Sequence, residues 1–250
     1  MVQQLPDALA TVNYSDSDGQ PMADNTKQFR WIVVIKENLE LLFAKNPDVF
    51  VAGDLLWYPV EGDNTIRQAP DVMVAIGRPK GDRGSYRQWQ EGGIAPQVVF
   101  EILSPGNRFG EMLRKLNFYE RYGIEEYYIY DPDKLELTGL QRCEDSLQVI
   151  EEMNGWVSPC LQIRFHMSDA GLEIYRPDGQ QFLTYIELGQ QLEQERERAN
   201  QERERANQER ERAEQERERA EQERERAEQE RERAERLAEQ LRAEGFEPNL

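Results

Sequence analysis

Gln97-Val98-Val99-Phe100-Glu101-Ile102-Leu103-Ser104-Pro105-Gly106 is the stretch that decides the fold. From Val98 to Leu103 it is apolar at odd and even positions alike, save for one Glu, and Ser-Pro-Gly stops it. Side chains alternate faces along a strand, so a run apolar on both faces reads as a central strand covered from both sides. Glu101 is then the anomaly. A carboxylate buried in such a strand costs several kcal/mol unless it is paired or holds a metal.

The flanking sequence builds a mixed α/β core around that strand. Upstream, Pro70-Asp71 opens the β-rich run Val72-Met73-Val74-Ala75-Ile76, which ends in Gly77-Arg78-Pro79-Lys80-Gly81 and a polar loop to Pro96. Before it, Val49-Phe50-Val51 and Leu55-Leu56-Trp57-Tyr58 are expected to form a hairpin or adjacent strands. Asp24, Asn25 and Thr26 offer N-cap types for a helix ending near Ala44, with apolar Phe29, Ile32, Val33, Leu39, Leu42 and Phe43. Downstream, Phe109, Met112, Leu116 and Tyr119 recur at helical spacing until Gly123, which suits a C-terminal cap. A strand at Tyr127-Tyr128-Ile129-Tyr130 closes at Asp131-Pro132. Short alternating runs from Leu135 to Tyr175 should complete the sheet or add strands beside it, with a turn at Arg176-Pro177-Asp178-Gly179.

Charge separates the chain into parts. Of 250 residues, 49 are acidic and 31 basic, net -18. From Gly189 onward, 62 residues hold 20 Glu and 14 Arg, net -6, which leaves net -12 for the first 188 residues. That body has the composition of a globular domain, whereas the tail is too poor in apolar residues to bury a core. The expected organisation is a flexible N-terminal arm over 1–24, a folded domain over 25–187, a heptad-repeat helix over 188–244 and a C-terminal tail over 245–250. In the repeat, Ala199, Ala206, Ala213, Ala220, Ala227 and Ala234 recur every seven residues, while the second apolar position of a coiled coil is Glu at 195, 202, 209, 216, 223 and 230. Pairs such as Glu195 with Arg198 and Arg198 with Glu202 support a solvated helix of about 80 Å. A coiled coil, through self-association or a protein partner, is the alternative.

Composition also excludes chemistry. No apolar run approaches the length of a membrane span, and the N-terminus lacks the pattern of a secretory signal, so a cytoplasmic protein is expected. Cys143 and Cys160 form no CxxC pair and are expected to be buried, reduced thiols. His166 is the only imidazole and sits in an alternating strand-like stretch, where a bland strand residue is expected. Ser104 therefore has no base to activate it and reads as a loop starter. The glycine-rich segments lack phosphate-loop order. What remains is carboxylate and Lys chemistry: Asp71 and Glu101, if their strands are neighbours, can hold a hard divalent cation that activates water, with a nearby Lys to orient or deprotonate it.

Taken together, Pro70-Asp71, Glu101-Ile102-Leu103-Ser104-Pro105, Lys115, Tyr119, Gly123, Glu126-Tyr127-Tyr128 and Asp131-Pro132 resemble the Uma-two family of restriction endonucleases, a branch of the PD-(D/E)XK nuclease superfamily. The resemblance covers roughly residues 25 to 185. It implies a restriction-endonuclease-like mixed β-sheet core flanked by helices, an endonuclease acting on DNA, and Asp71 and Glu101 as ligands of Mg2+ (or Mn2+). It also exposes a departure, because the superfamily lysine two residues after Glu101 is here Leu103. In related families a lysine of the following helix takes that place, and Lys115 is the matching candidate. Tyr119, Gly123, Tyr127 and Asp131 are assigned no chemistry. Simpler readings compete: Asp71 as a turn residue, Glu101 satisfied by a buried Arg or Tyr, and Lys115 in a surface pair with Glu111. The rival function is a catalytically silent nuclease-fold scaffold whose charged C-terminal helix is a spacer or partner-binding arm.

Overall fold

The computed structural model describes residues 12–243 except Asp18 and Gln20. The expected tail at 245–250 and the first eleven residues of the expected arm lie outside the described residues. The chain divides between Tyr185 and Ile186 into two units.

The first unit begins with helix α1 (Thr26–Leu42). Asn25, in extended backbone, caps it by accepting the N–H groups of Lys27 and Gln28 at 2.9 Å each. Strand β1 (Val49–Gly53) follows, then the short β2 (Trp57–Tyr58), β3 (Val72–Ile76), the short β4 (Tyr86–Arg87), β5 (Val98–Ile102), helix α2 (Phe109–Arg121) and β6 (Glu126–Asp131). Strands β7 (Glu136–Cys143), β8 (Ser146–Val149), β9 (Arg164–Ser168) and β10 (Gly171–Tyr175) complete the unit. Six of them form one sheet in the order β1-β3-β5-β6-β7-β8. Within this six-stranded sheet only β5 and β6 pair in parallel, because α2 carries the chain back between them. Gly123, just past α2 at φ +91°, takes the left-handed conformation that ends the helix.

Of the two-sided apolar run at 98–103, residues 98–102 form an interior strand buried at every position, and Leu103 lies just past it. Val98, Phe100 and Ile102 pack toward Ile32, Ile35 and Leu39 of α1 and toward Phe165 and Ile174 of the β9–β10 hairpin. Val99 joins Trp57, Tyr86, Tyr119 and Tyr127 on the α2 face. Later strands do both things expected of them: β7 and β8 extend the sheet, and β9 with β10 forms a separate ladder. His166 is an exposed residue of β9.

Two expectations are corrected, on the pairing of the early strands and on the two thiols. Residues 49–51 and 55–58 form neither a hairpin nor adjacent strands, since β1 pairs with β3 while β2 pairs in parallel with β4. The cause is Asp54, whose φ of +48° turns the chain and whose N–H donates to the carbonyls of Pro70 and Asp71 at 3.1 and 3.2 Å. Within the described part of the N-terminal arm, most of it exposed, Tyr14 and Ser15 touch the body. The Tyr14 ring meets Tyr58 edge-on at 5.1 Å and lies 4.9 Å from Trp89, and the Tyr58 hydroxyl donates to the Ser15 carbonyl at 2.9 Å. Cys143, at the exposed end of β7, and half-buried Cys160 are free thiols but not two buried ones.

The second unit continues helix α3 (Tyr185–Ala243), 59 residues and about 88 Å long at 1.5 Å per residue. None of its residues is buried. Arg231–Glu235 and Arg236–Glu232 approach within 3.3 and 3.7 Å at the four-residue spacing of self-supporting helices. Both apolar clusters of the first unit end before α3. Deleting residues 190–250 is therefore expected to leave a single cooperative thermal transition, and a broad or absent transition would show that the body needs the helix.

Candidate active site

Strand alternation sends Glu101 to the same face as Val99, toward α2, while its neighbours Phe100 and Ile102 face α1. The β3–β5 ladder is antiparallel with Val72 opposite Phe100. One further step of that register sets Asp71 across from Glu101. Directly opposed residues in such a ladder have Cβ atoms about 5 Å apart. Asp71 is fastened to β5, its Oδ2 accepting the N–H of Ile102 at 2.6 Å. The turn reading of Asp71 misses this cross-strand role.

Helix α2 supplies the rest. Its inward positions Met112, Leu116 and Tyr119 pack on the sheet, and Lys115 shares their side. Lys115 Nζ donates to Glu101 Oε2 at 2.7 Å, with the two side chains only 11% and 3% exposed. The Tyr119 hydroxyl donates to Glu101 Oε1 at 2.5 Å. Lys115 is thus turned to the buried Glu101 and not spent on a surface pair with Glu111. Glu101 does have the buried Tyr partner of the simpler reading, but alongside the lysine. Gln28 of α1 reaches the same point from the other side, its Nε2 donating to the Ile102 carbonyl at 2.9 Å.

A cleft of about 280 Å³ opens over this group, lined by Asp24, Gln28, Asp54, Asp71, Glu111 and Lys115 among others. Glu101, 2% exposed, is covered. A larger cleft of about 410 Å³ lies by Lys36, Phe50, Lys80 and Arg83, but Lys36 there is engaged by Glu40 at 2.5 Å and Arg83 by Glu91 at 2.6 Å.

Electrostatics mark the smaller cleft as the unusual one. Burial, and then the charge of Glu101, push Asp71 up to about 8, against the opposing pull of the Ile102 N–H, Lys115 and Gln28. Burial also raises Glu101, opposed by Lys115 and Tyr119. For Lys115, burial disfavours the ammonium, yet Glu101, Asp71 and Glu111 more than offset it and its pKa stands above the ordinary lysine value. Tyr119 is raised well above an ordinary tyrosine, first by burial and then by Glu101, so it stays a neutral donor. Perturbed groups converging on a cleft are a mark of functional sites.

The donor set suits a hard divalent cation. Mg2+ is commonly held by one or two carboxylates, with water completing its octahedron. Among the described residues no group of three or more His, Cys, Asp or Glu side chains is placed to hold a metal, so the pair would be the whole side-chain contribution. The buried Tyr127 hydroxyl, which has no hydrogen-bond partner among the described residues, feels both carboxylates.

The family model "Putative restriction endonuclease" of the Uma-two family matches residues 16–168, more than half of the chain. The chain belongs to the Uma-two family. It has the expected mixed sheet with flanking helices, the sheet being six-stranded. No curated protein matches the chain. The crystal structure of a "putative nuclease belonging to DUF820" from Anabaena variabilis is similar over 57% of this chain and 78% of its own, at 18% identity and a TM-score of 0.41.

In this Uma-two chain, the structure brings Asp71, Glu101 and Lys115 to one place. The superfamily's usual lysine position, Leu103, lies where the chain leaves β5, its N–H donating to the Tyr130 carbonyl at 2.8 Å. Ser104 is a loop starter as expected, its N–H donating to Asn107 Oδ1 at 2.6 Å and its hydroxyl to Asp24 at 2.5 Å. Two site contacts escaped the sequence reading. Gln28 carries no distinguishing signal. Tyr119 carried one, because it lies one helical turn after Lys115.

Proposed function

We propose that this Uma-two protein is a metal-dependent endonuclease that hydrolyses DNA phosphodiester bonds, with Asp71 and Glu101 as ligands of Mg2+ (or Mn2+) and Lys115 as the third catalytic group. The observation that supports it most is convergence: Asp71 just before β3 and Lys115 of α2 line one cleft, and Glu101 of β5 lies buried beneath it, paired with Lys115. A bound divalent ion supplies a water of lowered pKa and offsets charge building up on the phosphodiester. Lys115, held as ammonium by Glu101, is suited to orient that water or steady a phosphate oxygen, and not to act as a resting base. Asp71 and Glu101, anchored by backbone and side-chain donors, hold their oxygens in a fixed arrangement. With net -12 on the first 188 residues, DNA engagement should be weak, local and dependent on divalent cations.

Supercoiled plasmid incubated with the protein and Mg2+ or Mn2+ tests this. Wild type should nick it, chelation should abolish nicking, and Glu101→Ala and Lys115→Ala should each lower the rate by roughly 100-fold or more. Equal nicking by wild type and both variants would overturn the reading and leave a nuclease-fold scaffold.

A further inference from the structure

We infer that Tyr119 is a positioning residue of the metal site: its hydroxyl locks one oxygen of Glu101 so that the other is presented, beside Lys115, to the ion. The inference rests on the metal reading above and deepens it. Without Tyr119, Glu101 would be held at one oxygen only, by Lys115, and terminal torsions of this kind are soft. Here the two oxygens are made unequal by one helix. Oε2 faces Lys115, which lines the cleft, and Oε1 faces Tyr119, which is fully buried.

The donors sit one turn apart on α2, so a single rigid element sets both. The Tyr119 ring is itself held, its centroid 4.9 Å from that of Tyr127, 5.8 Å from Phe118 and 6.4 Å from Trp57. A neutral phenol suits the task. It donates one directed hydrogen bond without cancelling the charge that attracts a cation, whereas a second Lys or an Arg would compete with the ion. Partners that orient metal-ligating carboxylates typically govern metal affinity by 10–100-fold.

The chain contains its own control. On the opposite face, buried Glu126 accepts the Tyr128 hydroxyl at 2.9 Å, a second buried Glu–Tyr pair. Tyr128→Phe likewise removes a phenol donor from a buried Glu, on the α1 face, where the Tyr128 hydroxyl also accepts from Trp156 and Glu126 is also bonded by Ser158.

The experiment is calorimetric titration of the full-length chain with Mn2+. Tyr119→Phe should raise the Kd about 10-fold or more, and Tyr128→Phe should leave it within about twofold. Wild-type affinity in Tyr119→Phe overturns the positioning role while leaving the metal site standing. Loss of affinity in both variants also overturns it, since the effect would then be general loosening. Wild-type protein that binds no Mn2+ overturns both this inference and the metal reading. A measurement free of any folding defect uses the wild type with 13C at the tyrosine ζ-carbon: the Tyr119 resonance should move on saturation with Mg2+, and an unmoved resonance in a chain that binds the ion counts against the inference.

Discussion

Glu101→Gln is expected to destabilise the protein by about 3–5 kcal/mol and to abolish plasmid nicking, the largest combined loss of any single substitution. The stability effect comes from Lys115. Its ammonium is nearly buried, with Glu101 as its ion-pair partner, and a Gln at 101 removes the one carboxylate in direct contact with that charge. The cost of an orphaned buried charge exceeds the net value of the pair it came from, which is why removing one partner is so much worse than removing both. Lys115→Met together with Glu101→Gln should accordingly recover much of the lost stability but none of the nicking. Urea unfolding of the single and double variants reads this directly, and a double variant no more stable than Glu101→Gln alone would refute the ion-pair account.

Asp71→Asn should move stability the other way. In the metal-free protein, Asp71 is displaced upward to about 8 from an ordinary value of 3.8. Between those values the folded state binds the proton that the unfolded state releases, so folding is favoured at low pH and loses stability as pH rises from about 4 to about 8. Asn cannot ionise, and its side-chain oxygen can still accept the Ile102 N–H. Asp71→Asn should therefore be more stable than wild type by on the order of 3 kcal/mol at pH 8 without metal, with the difference vanishing near pH 4. Adding Mn2+ should reverse the order, because only wild type gains stability from the ion. Denaturation at several pH values, with and without metal, checks both halves. A wild-type stability flat from pH 4 to 8 would show that burial and Glu101 do not raise Asp71 as described. Gain of stability on losing function is the pattern expected of a site built from like charges.

The opposite signs expected for two carboxylates on neighbouring strands show where residue type stops being informative. Both Asp71 and Glu101 stood out in the sequence, one after a Pro and one in an apolar strand. Neither position revealed that Asp71 is secured by a backbone N–H of β5 or that Glu101 is shared between Lys115 and Tyr119. Lys115 was reached through family resemblance, since its spacing from Glu111 reads equally as a surface pair. The short β2 was misplaced because pattern alone cannot tell that Asp54 turns the chain out of the sheet to pair with β4.

By itself, the sequence determined a two-sided apolar strand at 98–103, hence a sheet covered on both faces, and an acidic chain ending in a charged helical repeat. These are local properties, set by side-chain periodicity and composition, and they hold whatever the rest of the chain does. Only the tertiary structure decided that β3 lies beside β5 in the register that opposes Asp71 and Glu101, and that α2 aims Lys115 and Tyr119 at one carboxylate. Strand neighbours and helix orientation arise from packing between segments tens of residues apart, and a slip of one residue would turn Asp71 to the other face.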